Sequence, residues 1–358
     1  MASVLKPVDD TRMFEKLGAT LAEDKSVEVS IIGYPSTVSH TQTDINLIPL
    51  PAFDRLSFRR FLIPWIAFKK INKIKPEIVI INTPELLFIA VLSRIFFGRK
   101  IIYDVLENYY RTIRYTSTYP LIFRPLLGGM VRIVEWVTSL FVHHFLLAEK
   151  GYSKELSFAK PYTVLQNKLP KSIASPYISK RSSGNSKLIF TGTLAATSGV
   201  FDAIKLYKRL HEIDPTYSLT IIGYCPIPKT LAEIKNEIED DSSIRLIGGD
   251  ALVPHDKILN EICRADFGII IYPPNPSTQS SIPTKLFEYL ALQLPVLIRH
   301  NGESHQLVES CHGGIVVNEP MNYIQLSQEI KKQRFTPRTP DSFFWDSEAE
   351  NLINRLKL

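Results

Sequence analysis

The sequence of 358 residues has few cysteines and lacks the motifs of several common enzyme classes. Its three cysteines, Cys225, Cys263 and Cys311, show no metal-ligand spacing and are odd in number, which favours buried, reduced thiols over a disulfide framework. No HExxH or CxxC motif occurs, so a zinc site is not indicated. Neither GxGxxG after an apolar strand nor a Walker phosphate-binding loop is present, which argues against dinucleotide-binding and P-loop proteins.

Long uninterrupted apolar runs are also missing. The most apolar stretch, residues 130–147, contains Arg132, Glu135, His143 and His144, and such polar residues argue against a membrane span. The first fifteen residues carry five charged side chains and no apolar core, so we expect no secretory signal. With 45% hydrophobic and 22% charged residues, a chain of this length is expected to bury the cores of two domains.

The net charge of +6 is unevenly distributed. Residues 1–170 contain 22 Lys+Arg and 15 Asp+Glu, whereas residues 171–358 contain 20 and 21. The densest basic stretch is Arg55–Lys75, where basic residues alternate with aromatic and aliphatic ones. It could bind an anionic membrane surface, or it could be an amphipathic helix that covers a sheet with its lysines outward. No nucleic-acid motif is present, so we expect no nucleic-acid partner.

Apolar, strand-length runs alternate with helical patterns along the whole chain, which predicts an α/β fold with two Rossmann-like, doubly wound parallel sheets facing a central cleft. We expect an N-terminal domain over residues 1–168, a linker over 169–186 and a C-terminal domain over 187–339. The C-terminal helix within 340–358 is expected to pack back on the first domain. In the first domain, a helix capped by Asp10 or Thr11 and a basic helix over 59–74, interrupted near Pro64, are predicted.

The most informative stretch is residues 267–298, which predicts a strand, a polar loop, a short helix and a second, parallel strand. Ligands of such sheets bind beyond the carboxyl ends of the strands, where this helix begins. Pro283 or Thr284 marks its first turn, whose free amides attract anions. Lys285 opposes the helix dipole there unless a phosphate binds. Glu288, on the same face, could accept hydrogen bonds from a ribose diol; a solvent-exposed Lys285–Glu288 pair is the alternative.

Three predicted strands of the second half end in glycine, at Gly192, Gly223 and Gly248–Gly249. Glycine permits close approach of the backbone to a ligand, although a plain turn explains at least one of these positions.

The segment from Ile282 to Ala291, followed by Leu294-Pro295-Val296, resembles the donor-site helix of glycosyltransferase family 4. These are retaining enzymes with the two-domain GT-B fold. Other segments agree in order along nearly the whole chain: Asp10 to Leu17, Pro84-Glu85-Leu86-Leu87, Ile102 to Val105, Glu107-Asn108-Tyr109, Val164 to Asn167, and Phe190 to Leu194 with Gly199-Val200.

The resemblance implies a UDP- or GDP-sugar donor, bound mainly by the C-terminal domain, with no metal and no further cofactor. It assigns catalytic roles to Lys285, Glu288 and Glu107. The donor-binding residues that it implies are Gly192, Thr193, Ser198, Gly223, Ser280, Ser281, Thr284, Lys285 and Glu288. The acceptor-side residues that it implies are Asp10, Thr11, Arg12, Glu85, Asn108 and Tyr109.

The implied function is transfer of a sugar to a glycan, a lipid-linked acceptor or a small molecule in cell-surface polysaccharide biosynthesis. The implied location is the cytoplasm, with possible attachment to the inner face of the cell membrane through the basic N-terminal domain.

The sequence also departs from the family pattern. The first of two family acidic residues falls on Ser280, basic residues of the glycine turn fall on Thr193 and Ser198, and a family histidine falls on Leu106. Leucine cannot donate a hydrogen bond, so Glu107, Asn108 or a backbone group would have to replace it. These departures keep two alternatives open: a nucleotide-sugar-binding protein with weak or no transfer activity, and an epimerase or hydrolase of the same architecture.

Overall fold

The computed structural model describes residues 1–36, 44–53, 60, 62–116, 119–179, 184, 186–276, 281–300, 302–332 and 339–356. The chain forms two compact units. The N-terminal unit comprises Met1–Asn167 and Ser347–Leu358, and the C-terminal unit comprises Lys168–Asp346. Each unit is built around one parallel sheet, which confirms the predicted fold class.

The sheet of the N-terminal unit has seven strands in the order β3-β2-β1-β4-β5-β6-β7. Their aliphatic side chains form a core between the sheet and the helices that cover it, which accounts for their apolar sequences. The strands are β1 Ala2–Pro7, β2 Val29–Tyr34, β3 Ile45–Pro49, β4 Ile78–Ile81, β5 Lys100–Val105, β6 His144–Leu147 and β7 Tyr162–Val164.

The first helix of this unit, α1, is π-helical over Thr11–Gly18 and continues as an α-helix over Ala19–Ala22. Of the two predicted candidates, Asp10 and not Thr11 is its N-cap, because the Asp10 carboxylate accepts from the amides of Arg12 and Met13. The remaining helices are α2 Ile63–Ile74, α3 Leu87–Phe97 after a 3-10 turn Pro84–Leu86, α4 Tyr109–Tyr115, α5 Arg124–Ser139, α6 Tyr152–Glu155 and the C-terminal α14 Asp346–Leu356.

Pro64 lies in the first turn of helix α2, which starts at Ile63. Proline is tolerated there because its missing N–H has no intrahelical partner in any case. Arg59, where the basic helix was expected to begin, lies outside the described residues, so the interruption near Pro64 stays a prediction.

The sheet of the C-terminal unit has six strands in the order β10-β9-β8-β11-β12-β13. The strands are β8 Lys187–Thr193, β9 Ser218–Tyr224, β10 Ile244–Gly249, β11 Phe267–Ile270, β12 Val296–Arg299 and β13 Gly314–Val317. The helices are α7 Lys171–Ile178, α8 Val200–Ile213, α9 Pro228–Ile238, α10 His255–Arg264, α11 Thr284–Ala291, α12 Gly302–Ser310 and α13 Tyr323–Lys332. Helix α7 lies within the segment 169–186 that we interpreted as a linker, and buried Leu169 and Ala174 join it to the core of this unit.

The strand order reverses direction between β8 and β11, which pair in parallel. Neighbouring loops at such a point leave the sheet on opposite sides, so a crevice opens at the carboxyl ends of the two strands. Gly192 lies at the carboxyl end of β8, and the loop that leads to α11 follows β11. The topology therefore brings the two most informative segments of the sequence to one place.

Candidate donor-binding site

Helix α11 is held rigidly against the sheet with its first turn at the crevice. Leu286, Phe287 and Leu290 are buried in the core. The buried Tyr289 donates a hydrogen bond from its hydroxyl to Oγ1 of Thr191 (3.0 Å) and accepts one from the Thr191 amide (3.0 Å). Pro283 occupies the N-cap and provides no side-chain cap, and its carbonyl accepts a hydrogen bond from the Leu286 amide (2.9 Å).

Lys285 lies in this first turn and is only 7% exposed. Among the residues that the structure describes, its Nζ has no hydrogen-bond partner. It lies 3.7 Å from the ring centroid of Phe190 and 5.3 Å from that of Tyr272, so two aromatic faces enclose it. Burial lowers the pKa of Lys285 to about 7, against the opposing effect of the Glu288 carboxylate. The ammonium group is thus partly desolvated and has no anion bonded to it.

Gly192 lies beside the lysine. A Cβ added at Gly192 would lie 3.9 Å from Cε of Lys285, and φ is +99°, a conformation that glycine adopts without strain. The structure therefore brings Gly192 and Lys285 together, as the resemblance implied. Gly223 has a different role, because a Cβ there would come within 1.7 Å of the carbonyl oxygen of Gly192. Glycine at 223 is thus required by the packing of strand β9 against the end of β8.

Glu288 faces a histidine that the sequence analysis did not single out. Nε2 of His255 lies 3.2 Å from Oε1 of Glu288, and both side chains are largely buried. His255 is the first residue of α10, after Pro254. No local pattern joins these residues, which are 33 positions apart. The histidine can orient the carboxylate and leave its second oxygen for a ligand.

The remaining predicted donor residues differ in their exposure and in their hydrogen bonds. Thr193 is exposed, and Thr284 is the first residue of α11. Ser198 donates to the carbonyl of Ala195 (2.9 Å) and accepts from the Ala195 amide (3.1 Å), so its hydroxyl stabilises the loop before α8. The carbonyl of Ser281 accepts from Oγ of Ser304 (3.0 Å). Ser280 lies outside the described residues.

A cavity of about 80 Å³ lies beside the first turn of α11, lined by Tyr272, Ser281, Pro283, Arg299 and Ser304 among others. Arg299 donates to the carbonyl of Tyr272 (2.7 Å) and to Oδ1 of Asp202 (3.1 Å). Tyr272 therefore contacts two cations, Lys285 through its ring and Arg299 through its carbonyl. Arg299 was not predicted as a site residue, although its position at the carboxyl end of β12 is where ligands of such sheets bind.

The predicted acceptor-side residues in the N-terminal unit mostly bond to their own unit. Arg12 is buried and donates from Nε and Nη2 to both oxygens of Asp104 (2.9 and 2.7 Å) and from Nη1 to the carbonyl of Leu165 (2.8 Å). These bonds join α1 to the ends of β5 and β7. Thr11 begins the same helix. The guanidinium of Arg12 is thus already occupied by protein groups.

The others lie near the carboxyl ends of β4 and β5. Glu85 forms an ion pair with Arg60, and the hydroxyl of Tyr109 donates to the carbonyl of Asn82 (3.2 Å). Asn108 is the N-cap of α4, donates to Glu155 (2.7 Å) and accepts from Arg132. Glu107 lies half-buried in the turn after β5. A direct role of these side chains toward an acceptor stays a prediction.

Comparisons with known proteins were made for the sequence and for the structure. No protein-family model matches the sequence. A curated relative, glycosyltransferase 1 domain-containing protein 1 of Xenopus tropicalis, is 23% identical over 126 residues, which is 35% of this chain and 34% of that protein. The match thus spans about a third of the relative's length.

Solved structures match over nearly the whole chain. Sucrose-phosphate synthase from Thermosynechococcus elongatus superposes with a TM-score of 0.70 at 13% identity, covering 99% of this chain and 97% of its own. The Anabaena protein HepE, solved with UDP and glucose, gives 0.66 at 13% identity over 99% of both chains. WaaG, a glycosyltransferase involved in lipopolysaccharide biosynthesis, gives 0.64 at 14% identity over 99% and 95%. With its two parallel sheets in two units, the chain therefore has the GT-B glycosyltransferase fold.

Proposed function

We propose that this chain is a retaining glycosyltransferase that binds a nucleoside-diphosphate sugar at the first turn of α11. The observation that carries the proposal is Lys285, a buried ammonium group at the amino end of a helix, for which the described part of the chain provides no hydrogen-bond partner. Desolvation of an unpaired charge costs free energy, and the helix dipole disfavours a cation there. A diphosphate would neutralise the lysine, and the positive end of the helix dipole would favour its negative charge.

The neighbouring groups suit the rest of such a donor. Gly192 and Thr193 let the backbone approach the phosphates closely. Glu288, oriented by His255, is placed three residues after Lys285 and can accept hydrogen bonds from the ribose hydroxyls. Thr284 and Ser281 line the same helix start, and we assign Ser198 a supporting role through the loop that it stabilises.

In the proposed reaction the bond between the anomeric carbon and the diphosphate breaks, and its electron pair leaves with the diphosphate. An acceptor hydroxyl then bonds to the same face of that carbon and gives its proton to an oxygen of the departing diphosphate. Lys285 and the amides of α11 would stabilise the charge that develops on the leaving group, and fixed donors of this kind are the usual source of large rate effects. We assign Glu107, together with Asn108, to the sugar side in place of the histidine that Leu106 replaces.

For the nucleotide base of the donor, the acceptor and the pathway, we propose only broad chemical classes. HepE was solved with UDP, and WaaG acts in lipopolysaccharide biosynthesis; both share this fold. These likenesses support UDP ahead of GDP and a cell-surface glycan or its lipid-linked precursor as acceptor. Such a reaction would place the chain in the cytoplasm, at the inner face of the cell membrane.

The second candidate is a nucleotide-sugar-binding protein with little or no transfer activity. Leu106 supports it, because this half-buried apolar residue stands where the family has a histidine beside the sugar. The proposed donor site would be the same for either of these two functions.

The donor proposal is tested by calorimetric titration of UDP-glucose and GDP-mannose at pH 6.5. We expect Lys285→Met to weaken binding about 10- to 100-fold, since hydrogen bonds to charged groups contribute about 1.5–3 kcal/mol. Lys257→Met, which changes an exposed lysine of α10, is the matched control and should bind as the wild type does. Equal affinities of the Lys285→Met variant and the wild type would refute the phosphate site.

Measurement of nucleoside diphosphate release then distinguishes transfer, hydrolysis and binding without reaction. Release that depends on an added acceptor supports transfer, and release without acceptor supports hydrolysis. Binding without release supports the second candidate.

A further inference from the structure

Helix α5 of the N-terminal unit has its polar side inward and its apolar side outward. The residues that it buries are Gly128, Glu135 and Thr138. Its exposed large apolar residues follow the spacing of one helix face, at Leu126, Met130, Ile133, Val137 and Leu140. An amphipathic helix on a protein surface normally presents the opposite arrangement, because burial of the apolar stripe provides its stability. The outward stripe therefore needs an apolar environment that the described residues do not provide.

Neighbouring segments extend this stripe. Helix α3, which packs beside α5, exposes Phe88, Ile95, Phe96 and Phe97. The segment before α5 exposes Leu121, Ile122 and Phe123, with Ile122 80% exposed. Trp65 of α2 lies with its ring centroid 6.2 Å from that of Phe88, and Trp136 of α5 is 63% exposed. We call the surface formed by these residues and the stripe of α5 the outer face. Contiguous exposed apolar surface of this kind marks a protein or membrane interaction site.

Basic residues outnumber acidic ones around the outer face, although Glu77 is exposed and Glu107 is half-buried. Residues 60–141 contain 12 Lys+Arg and five Asp+Glu. Helices α2 and α3 contain no acidic residue, and the only one of α5, Glu135, is buried. Asp104 is buried as well, and Glu85 forms an ion pair with Arg60. Lys69, Lys73 and Lys100 are exposed. The outer face is therefore apolar with a basic surround.

We infer that the outer face docks on an anionic lipid bilayer, with its apolar side chains inserted to the headgroup boundary and its lysines on the headgroups. Amphipathic helices with this combination bind membrane interfaces in that way, and tryptophan is enriched at such boundaries. A second copy of the chain is the less suitable occupant, because a two-fold contact places the same basic surface against itself.

The inferred contact is a surface attachment. None of the described helices is long and apolar enough to cross a membrane. For the basic stretch Arg55–Lys75 the sequence left membrane binding and a sheet-covering helix open as alternatives. The inferred contact includes Trp65, Lys69 and Lys73 of that stretch and adds α3, α5 and residues 121–123, which the sequence did not indicate. The inference does not depend on the donor role of α11, so either can fail alone.

Flotation of the full chain with phosphatidylcholine vesicles, with and without 30 mole per cent phosphatidylglycerol, tests the inference. We expect the protein to float with the anionic vesicles and to bind the neutral ones at least tenfold more weakly. Tryptophan emission should shift to the blue on binding, since Trp65 and Trp136 belong to the outer face and Trp345, the third tryptophan, is already buried.

Charged substitutions on the outer face should abolish this binding. The double variant Ile133→Glu/Val137→Glu changes exposed positions only, so we expect it to fold and to bind UDP-glucose as the wild type does. The control Leu252→Glu/Ile324→Glu changes two exposed apolar positions of the C-terminal unit and should float normally. Neutralising Lys69 and Lys73 should weaken anionic-vesicle binding about fivefold per lysine.

Three outcomes would overturn the inference. The first is failure of the wild type to bind anionic vesicles, and the second is equal flotation of the outer-face variant and its control. The third is a stable dimer of the wild type in solution that does not bind lipid and that the outer-face variant dissociates, because that result would assign the outer face to a second copy.

Discussion

Each unit buries a cation at the second position of a helix that begins at the carboxyl edge of its sheet. Arg12 follows Asp10-Thr11 at the start of α1, and Lys285 follows Pro283-Thr284 at the start of α11. Arg12 uses its guanidinium donors on Asp104 and Leu165, whereas Nζ of Lys285 has no hydrogen-bond partner among the described residues. A buried charge beside its counterion is compensated within the fold, and burial without one is a cost that a ligand can offset. The comparison therefore separates a cation that the protein itself satisfies from the one that we propose to bind a ligand.

The largest effect on the free energy of unfolding is expected at Arg12, the cation that has a counterion. Arg12→Met leaves the carboxylate of Asp104 buried without its partner, so we expect the free energy of unfolding to fall by about 3–5 kcal/mol in urea titrations. The matched control is Lys25→Met, which breaks an exposed pair with Asp44 in the same unit and should cost less than about 1 kcal/mol. Arg12→Met/Asp104→Leu should recover much of the loss, because it removes both charges. Equal costs for Arg12→Met and Lys25→Met would show that the pair does not act as proposed.

Substitution of Lys285, the cation without a counterion, is expected to change the free energy of unfolding in the opposite direction. Lys285→Met keeps an apolar chain of similar length and removes a buried charge, so we expect it to stabilise the protein without ligand by about 1–4 kcal/mol. The folded-state pKa of Lys285 is lowered to about 7, so the wild type becomes more stable as the pH rises from 7 towards the unfolded value of 10.5. The advantage of the variant should thus be greatest at and below pH 7. A destabilised Lys285→Met variant would contradict this reasoning, and Lys257→Met should leave stability unchanged.

The smallest effect is a pH dependence of donor binding. A lysine with a pKa near 7 is increasingly neutral above that pH, and a diphosphate favours its charged form, so binding must take up a proton there. We expect the affinity for UDP-glucose to be constant below pH 7 and to fall by up to about tenfold per pH unit above it, equivalent to about 1.4 kcal/mol. Titration in two buffers with different ionisation enthalpies measures the proton uptake. A pH-independent affinity in the wild type would argue that another group binds the phosphates, and Lys285→Met should show no dependence.

Local patterns predicted most of the secondary structure. The order of strand, loop, helix and parallel strand that was predicted over residues 267–298 agrees with β11, α11 and β12. The N-cap at Asp10 was also predictable, since an acidic side chain before a helix satisfies amides only two or three residues away. Helix α7 was not recognised, because its Ser- and Pro-containing sequence resembles a linker and its stability comes from contacts of Leu169 and Ala174 with the core.

The partners of the site residues were not predictable in the same way. His255 and Glu288 are 33 positions apart, and Arg12 and Asp104 are 92 apart. Nothing in either local sequence distinguishes the satisfied cation from the unsatisfied one. Helix α5 shows the same limit, since its regular apolar spacing predicts a buried face and the structure exposes it.

The sequence by itself determined the two parallel sheets, the position of the short helix at 284–291 and the chemical character of its first turn. These features follow from side-chain periodicity and from backbone geometry that acts over a few residues. Only the tertiary structure decided which buried charge has a counterion, which carboxylate has a histidine beside it, and which side of α5 faces outward. Those properties depend on distances between strands and helices that meet only when the sheets form.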